Sequence, residues 1–151
     1  MTLQPPDPQA FYALVWEIVR QIPAGRVSTY GQIASMIPPP QGVEPPLYDR
    51  MSARWVGDAM RATPEGSGIP WQRVINSRGQ ISLPAGSAGA DVQRALLERE
   101  GIVFDEQSRV DLRLYGWEGP SAEWLAERGL LPPFSFRPPE DTGQGMQLSL
   151  F

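Results

Sequence analysis

Proline placement constrains this chain more than any other feature. Of its 151 residues 17 are proline, and a proline inside a helix removes a backbone donor and clashes with the preceding turn, so every helix must fit between prolines or begin on one. Asp7-Pro8 reads as an N-cap followed by a first helical residue, after which Phe11, Leu14, Val15, Ile18, Val19 and Ile22 recur at helical spacing. That spacing predicts a core helix ending at Pro23-Ala24-Gly25. Thr29 and Gln32 fit a capping box, which predicts a short second helix from Tyr30 through Ile33, Ala34 and Ile37 until Pro38-Pro39-Pro40 stops it. A loop carrying Pro45 and Pro46 leads to a third helix expected over about residues 49 to 62, with Pro64 beyond its end.

The third helix has two faces at the helical step of about 100° per residue. Met51, Trp55, Val56, Ala59 and Met60 form the apolar side, and Arg50, Arg54, Gly57 and Arg61 cluster opposite. Guanidiniums flanking a residue without a side chain suit close approach to a nucleic-acid backbone. Taken alone, the same face also suits an ordinary solvated helix.

Further along, Val74-Ile75 and Gln80-Ile81-Ser82 flank Asn76-Ser77-Arg78-Gly79, a hairpin or tight reversal. Val92, Ala95 and Leu96 mark another helix, stopped by Gly101, and Ile102-Val103-Phe104 and residues 110 to 115 look extended. Ser121 caps a short helix reaching Arg128, and Pro132, Pro133, Pro138, Pro139, Gly143 and Gly145 then describe a linker. The expected division is a lead at 1–9, one domain at 10–118, a short helical extension at 119–131 and a flexible tail at 132–151. A chain of this length that is 41% hydrophobic supports one core and not two.

With no Cys and no His the chain has no disulfide framework and no metal site of the usual ligand types, so neither a metal nor a cofactor is expected. The first residues lack the basic start and apolar run of a signal peptide, and no stretch reaches the length of a membrane span, which predicts a cytoplasmic protein. The net charge of −4 looks wrong for a nucleic-acid binder, but it is unevenly spread. Residues 50 to 80 carry five arginines against two acids, and residues 104 to 151 carry four against eight. A modest basic patch on an acidic body predicts salt-sensitive DNA binding with few phosphate contacts. All 13 basic residues are Arg, a bias that genome composition explains.

Three separated stretches, residues 26 to 34 (Arg-Val-Ser-Thr-Tyr-Gly-Gln-Ile-Ala), 54 to 61 (Arg-Trp-Val-Gly-Asp-Ala-Met-Arg) and 69 to 75 (Ile-Pro-Trp-Gln-Arg-Val-Ile), occur in the order found in the C-terminal domain of the O6-alkylguanine-DNA alkyltransferases. Over about residues 10 to 118 the chain resembles that domain, and most closely the alkyltransferase-like proteins in which Trp replaces the nucleophilic Cys. The resemblance implies a mainly α fold with short β segments, a winged helix-turn-helix-like domain that presents its recognition helix to the minor groove and flips guanine from the duplex. By the same resemblance Tyr30 crowds the backbone phosphate and helps rotate the nucleotide, while Arg54 enters the stack in its place. A rigid phenol and a planar guanidinium suit those duties. Gly57 and Arg61 complete the DNA face, and Trp71, Gln72, Arg73 and Val74 border the lesion pocket.

The family signature reads Pro-Cys-His-Arg-Val, with a thiolate nucleophile and a His that acts as its base through water. Trp71 and Gln72 stand in those places. An indole has no low-pKa atom to attack an alkyl carbon, and an amide takes no proton near neutral pH. Glu100 matches the acid that orients the His, leaving it a structural duty toward Gln72. Two further departures stand out. Asp58 occupies a place where relatives often carry Gly, and repels phosphate unless paired with Arg54 or Arg61. Pro84 falls near a family aromatic of the pocket.

Gln147-Leu148-Ser149-Leu150-Phe151 resembles the bacterial sliding-clamp-binding peptide, Gln-Leu-x-Leu-Phe, at every specified position. Such a peptide docks extended, with two adjacent apolar side chains in a pocket. A flexible linker over residues 132 to 146 would reach roughly 20 Å. The alternative is a terminal strand folded back on the domain itself.

The leading expectation is a monomeric, non-enzymatic sensor of O6-alkylguanine in double-stranded DNA that marks the lesion for another pathway. By resemblance alone that pathway is nucleotide excision repair, with the sliding clamp as a tether. The alternative from another class is a helix-turn-helix transcription regulator blind to damage, although no dimerisation segment is evident. A third reading, an alkyltransferase using another nucleophile, requires a covalent product.

Overall fold

The structure, a computed structural model, describes residues 4–137; the clamp-like peptide at 147 to 151 lies outside them. Helix α1 (Pro8–Val19) starts as its sequence dictates: the Asp7 carboxylate accepts from the Ala10 amide at 3.1 Å, and Pro8 occupies the first turn. Strand β1 (Ser28–Thr29) runs straight into α2 (Tyr30–Ser35). The Thr29 hydroxyl caps α2 by accepting from Gln32 N at 3.1 Å. Only half of the expected capping box forms. The Gln32 side chain turns into the interior, bonding Ser28 Oγ at 2.6 Å and donating to the carbonyls of Trp117 and Phe134.

Helix α3 spans Pro45–Arg61, four residues earlier than the sequence suggested. Pro45 and Pro46 open the helix instead of preceding it, because the first helical turn has no intrahelical use for the missing N–H groups. Its buried side is the expected one, with Met51, Trp55, Val56 and Ala59, while Met60 is half-exposed. Phe11 meets Trp55 edge-on at 5.8 Å between ring centroids, tying α1 to α3. α1, α2 and α3 share one apolar core.

Strand β2 (Val74–Ile75) pairs parallel with β1, Ser28 opposite Val74 and Thr29 opposite Ile75. Asn76 to Gln80 then makes the tight reversal, with Asn76 N donating to Gln80 O at 3.0 Å, but no hairpin partner strand follows. Gly79 is required there: its φ is +79°, and a Cβ would lie 2.4 Å from the Val110 carbonyl oxygen. Helix α4 (Ala88–Arg99) buries Ala90, Gln93 and Leu97. Val92 and Ala95, which marked the helix in the sequence, are exposed. The polar Gln93 holds the inner position because both of its neighbours across the interface are carbonyls.

Phe104 and Val110 form an isolated antiparallel bridge. Residues Leu112–Tyr115, expected to be extended, form helix α5, capped by the Asp111 carboxylate at Arg113 N. Helix α6 (Ala122–Glu127) is capped by Ser121 as the sequence indicated. Leu125 and Leu130 are buried in the main core, Leu131 N donates to Met36 O at 2.8 Å, and Arg128 pairs with Glu17 at 2.8 Å. Contacts with the body continue through Phe134 and Arg137, within the stretch expected to be a linker. No helix among the described residues is long and apolar enough to cross a membrane.

Candidate nucleic-acid interface and base pocket

The β1–β2 pairing puts two of the sequence stretches side by side. Tyr30 begins α2 immediately after β1, and the turn Trp71–Arg73 ends directly into β2. Tyr30 is half-buried, and its Cδ1 lies 4.0 Å from where a Cβ on Gly57 would stand. The bare backbone at Gly57 thus leaves the ring's edge uncovered from the α3 side. Arg54, one turn earlier on α3, is exposed, and among the described residues no hydrogen bond or ion pair holds it. Arg61 is paired with Asp58. The Asp58 charge is thereby met within the helix, while the Arg61 side chain stays 69% exposed.

Trp71 lines a cavity of about 450 Å³ together with Met60, Thr63, Glu65, Ser67 and Ile69. Met60 is the last apolar residue of α3, so the cavity adjoins the C-terminal end of that helix. Tyr30 and Arg54 stand outside it. Of Trp71, Gln72, Arg73 and Val74, only Trp71 lines this cavity. Val74 is buried in the core at 2% exposure.

Gln72 and Arg73 form the support behind the turn. Gln72 Nε2 donates to Glu100 Oε2 at 2.9 Å. Arg73 grips the same carboxylate through Nε and Nη2, at 3.0 Å each for the shorter contacts, and donates from Nη1 to the Ile22 carbonyl at 2.7 Å. Gly25 N adds a further donor at 3.2 Å. Burial alone would raise the Glu100 carboxyl, but the hydrogen bonds from Arg73, Gln72 and Gly25 and the Arg73 charge outweigh it, and its pKa lies below the ordinary value. Glu100 is therefore a fixed anion, saturated with donors and without a proton to trade.

Gln93 is the element that the sequence did not flag. Its Nε2 donates to Gln72 O at 3.0 Å and to Val74 O at 3.1 Å, fastening the turn to α4 from the other side. A buried glutamine leaves no mark in apolar periodicity; the one available signal was its central position on a helix whose neighbouring apolar residues fit a core face poorly.

The DNA base-flipping protein of Vibrio parahaemolyticus is 44% identical over 108 residues, covering 72% of this chain and 96% of that protein. Alkyltransferase-like protein 1 of Schizosaccharomyces pombe is 41% identical over 112 residues, covering 72% and 94%. The crystal structure of S. pombe Atl1 in complex with damaged DNA containing O6-carboxymethylguanine superposes with a TM-score of 0.55 at 36% identity, over 78% of this chain and 98% of that one. Residues 10–102 match the DNA binding domain of 6-O-methylguanine DNA methyltransferase, and the chain belongs to that family.

Proposed function

We propose that this chain recognises O6-alkylguanine in duplex DNA, extrudes the base into the cavity beside Trp71 and holds it there without reacting. The observation that carries the reading is Trp71 itself: the residue in the nucleophile's place lines a cavity at the end of the helix whose outer face carries Arg54 and Gly57. Tyr30 displaces the phosphate, Arg54 fills the vacated stack, and the indole packs on the flipped base. Stacking of a base on an aromatic contributes about 1 to 3 kcal/mol. Extrusion costs a few kcal/mol and least for a poorly paired, damaged base, so the two nearly balance only for the lesion. Selectivity then follows without chemistry. The names of the similar proteins, a base-flipping protein and an alkyltransferase-like protein, support the reading.

The places of the family's thiolate and its base are held by Trp71 and Gln72, which supply neither a nucleophile nor a proton acceptor. Gln72 is a donor to a carboxylate that already accepts from Arg73 and Gly25. The bound lesion is therefore held and marked for other proteins, with nucleotide excision repair as the recipient by family resemblance and the sliding clamp engaged through Gln147, Leu148, Ser149, Leu150 and Phe151.

Equilibrium binding to two duplexes that differ only in O6-methylguanine against guanine, at fixed physiological salt, tests this. A preference for the lesion that is lost in Tyr30→Ala and Arg54→Ala is the expected result. Equal affinity for both duplexes would overturn it and favour a sequence-reading regulator.

A further inference from the structure

Residues 130 to 137 lie beyond the family match at 10–102, yet they are built onto the first helix of the DNA face. Phe134 is the centre of this attachment. Its N–H donates to Ser35 Oγ at 3.4 Å, its carbonyl accepts from the buried Gln32 Nε2 at 3.0 Å, and its ring lies 4.0 Å from where a Cβ on Gly31 would stand. Gly31 directly follows Tyr30, in the first turn of α2. Phe136 braces Phe134 edge-on at 5.6 Å between centroids. Phe136 in turn sits so close over Gly116 that a Cβ there would meet its ring at 2.4 Å.

For all this anchoring, the Phe134 ring remains 48% exposed. Ordering a large apolar side chain at the surface, with both of its backbone groups bonded to the helix beneath, leaves solvent facing a ring that gains little from it. A lone exposed aromatic is unremarkable, but this one lies over Gly31, the residue next to Tyr30. At about 100° per residue, Gly31 is the next flank of α2 round from Tyr30, and the absence of a side chain there is what lets the ring lie down beside the helix start.

We propose that Phe134 is an additional DNA contact, packing on the deoxyribose edge of the strand that Tyr30 engages and widening the footprint beyond the helix-turn-helix. The proposal rests on the reading of this face as the DNA interface. Its contribution is independent of the lesion, because the ring is outside the base cavity. It thus adds to affinity for any duplex and leaves the lesion preference to Trp71, Tyr30 and Arg54.

The test compares wild type with Phe134→Ala, Phe134→Leu and Phe134→Tyr on the damaged and undamaged duplexes, alongside hydroxyl-radical footprinting of each complex. Phe134→Ala is expected to lose roughly tenfold in affinity for both duplexes with their ratio unchanged, as removal of a half-buried ring from a contact would give. Phe134→Tyr keeps wild-type affinity, Phe134→Leu falls between, and the wild-type footprint covers sugars that Phe134→Ala leaves open. Phe134→Leu keeps an apolar cover over Gly31 and serves if the Ala variant is poorly folded. Unchanged affinity and footprint in folded variants would overturn the proposal and leave the ring as a site for a protein. Loss of the lesion preference alone would overturn it too. Were wild type to show no lesion preference, the reading of function would fail while the Phe134 loss still reported the footprint.

Discussion

Gln72 and Glu100 are joined by one hydrogen bond, Nε2 to Oε2 at 2.9 Å, in which the amide can only donate. In the related enzymes' signature this place belongs to a base, and a base must be free to accept a proton. Here the partner carboxylate is also held bidentately by Arg73, which ties the turn to the Ile22 carbonyl just beyond the end of α1. Together these bonds form a strut between the segment after α1, the signature turn and the end of α4.

That strut makes acid stability a measurable property of the site. The Glu100 pKa is lower in the fold than in the unfolded chain, so its contribution is fully present above the unfolded value of about 4.3 and is lost as pH falls through the folded value. Thermal melting between pH 7 and pH 3 should show a decline of which Glu100→Gln removes part. At pH 7 Glu100→Gln should cost about 2 to 3 kcal/mol, since it leaves the largely buried Arg73 guanidinium without its counter-ion. A variant as stable as wild type at pH 7 would mean that the strut carries no load.

Gln93 offers a cleaner separation of turn geometry from charge. Gln93→Leu fills similar space but leaves the carbonyls of Gln72 and Val74 without their side-chain donor. The expected cost is about 1 to 3 kcal/mol of stability. Because the turn carries Trp71, binding to damaged DNA should weaken more than binding to undamaged DNA. Paired denaturant titrations and duplex binding measure both.

Gly57→Ala should move stability and function in opposite directions. A Cβ at this position would meet Arg61 Nη1 at 3.8 Å and Tyr30 Cδ1 at 4.0 Å, both ordinary contacts. The free protein therefore accommodates it, and the gain in helix propensity is up to about 1 kcal/mol. If DNA backbone lies against this face, the added methyl stands in its way, and affinity for every duplex falls severalfold. A variant that melts higher and binds as well would place the DNA elsewhere.

The parts of the molecule that were legible in the sequence are those where one residue type forces one outcome. Asp7-Pro8 could only begin a helix, and the apolar stripe of α3 named its buried side correctly. The misses share a cause. Pro45 and Pro46 look like breakers unless one knows that a helix starts on them, and Gln32 and Gln93 are polar residues whose burial depends on carbonyls far away in sequence. Arg73, read as a pocket residue, is turned to Glu100 by an interaction across 27 positions. Local pattern carries no information about such partners. Phe134 is the extreme case: its neighbour on α2 is about a hundred positions distant.

The absence of chemistry can be tested directly. After incubation with an excess of duplex carrying O6-methylguanine, intact-mass spectrometry should find the protein at its unmodified mass and the lesion still present in the recovered DNA. Alkyl transfer would need a side chain that attacks the alkyl carbon while guanine leaves with a proton. The cavity wall offers an indole, the Met60 thioether, the hydroxyls of Thr63 and Ser67, and the Glu65 carboxylate. The Thr63 hydroxyl donates to the Ala59 carbonyl and Ser67 Oγ accepts from Ile69 N, and the Glu100 carboxylate is committed to Arg73, Gln72 and Gly25. An added methyl mass on the protein would show that one of these side chains reacts, and Glu65→Gln and Met60→Leu would identify which.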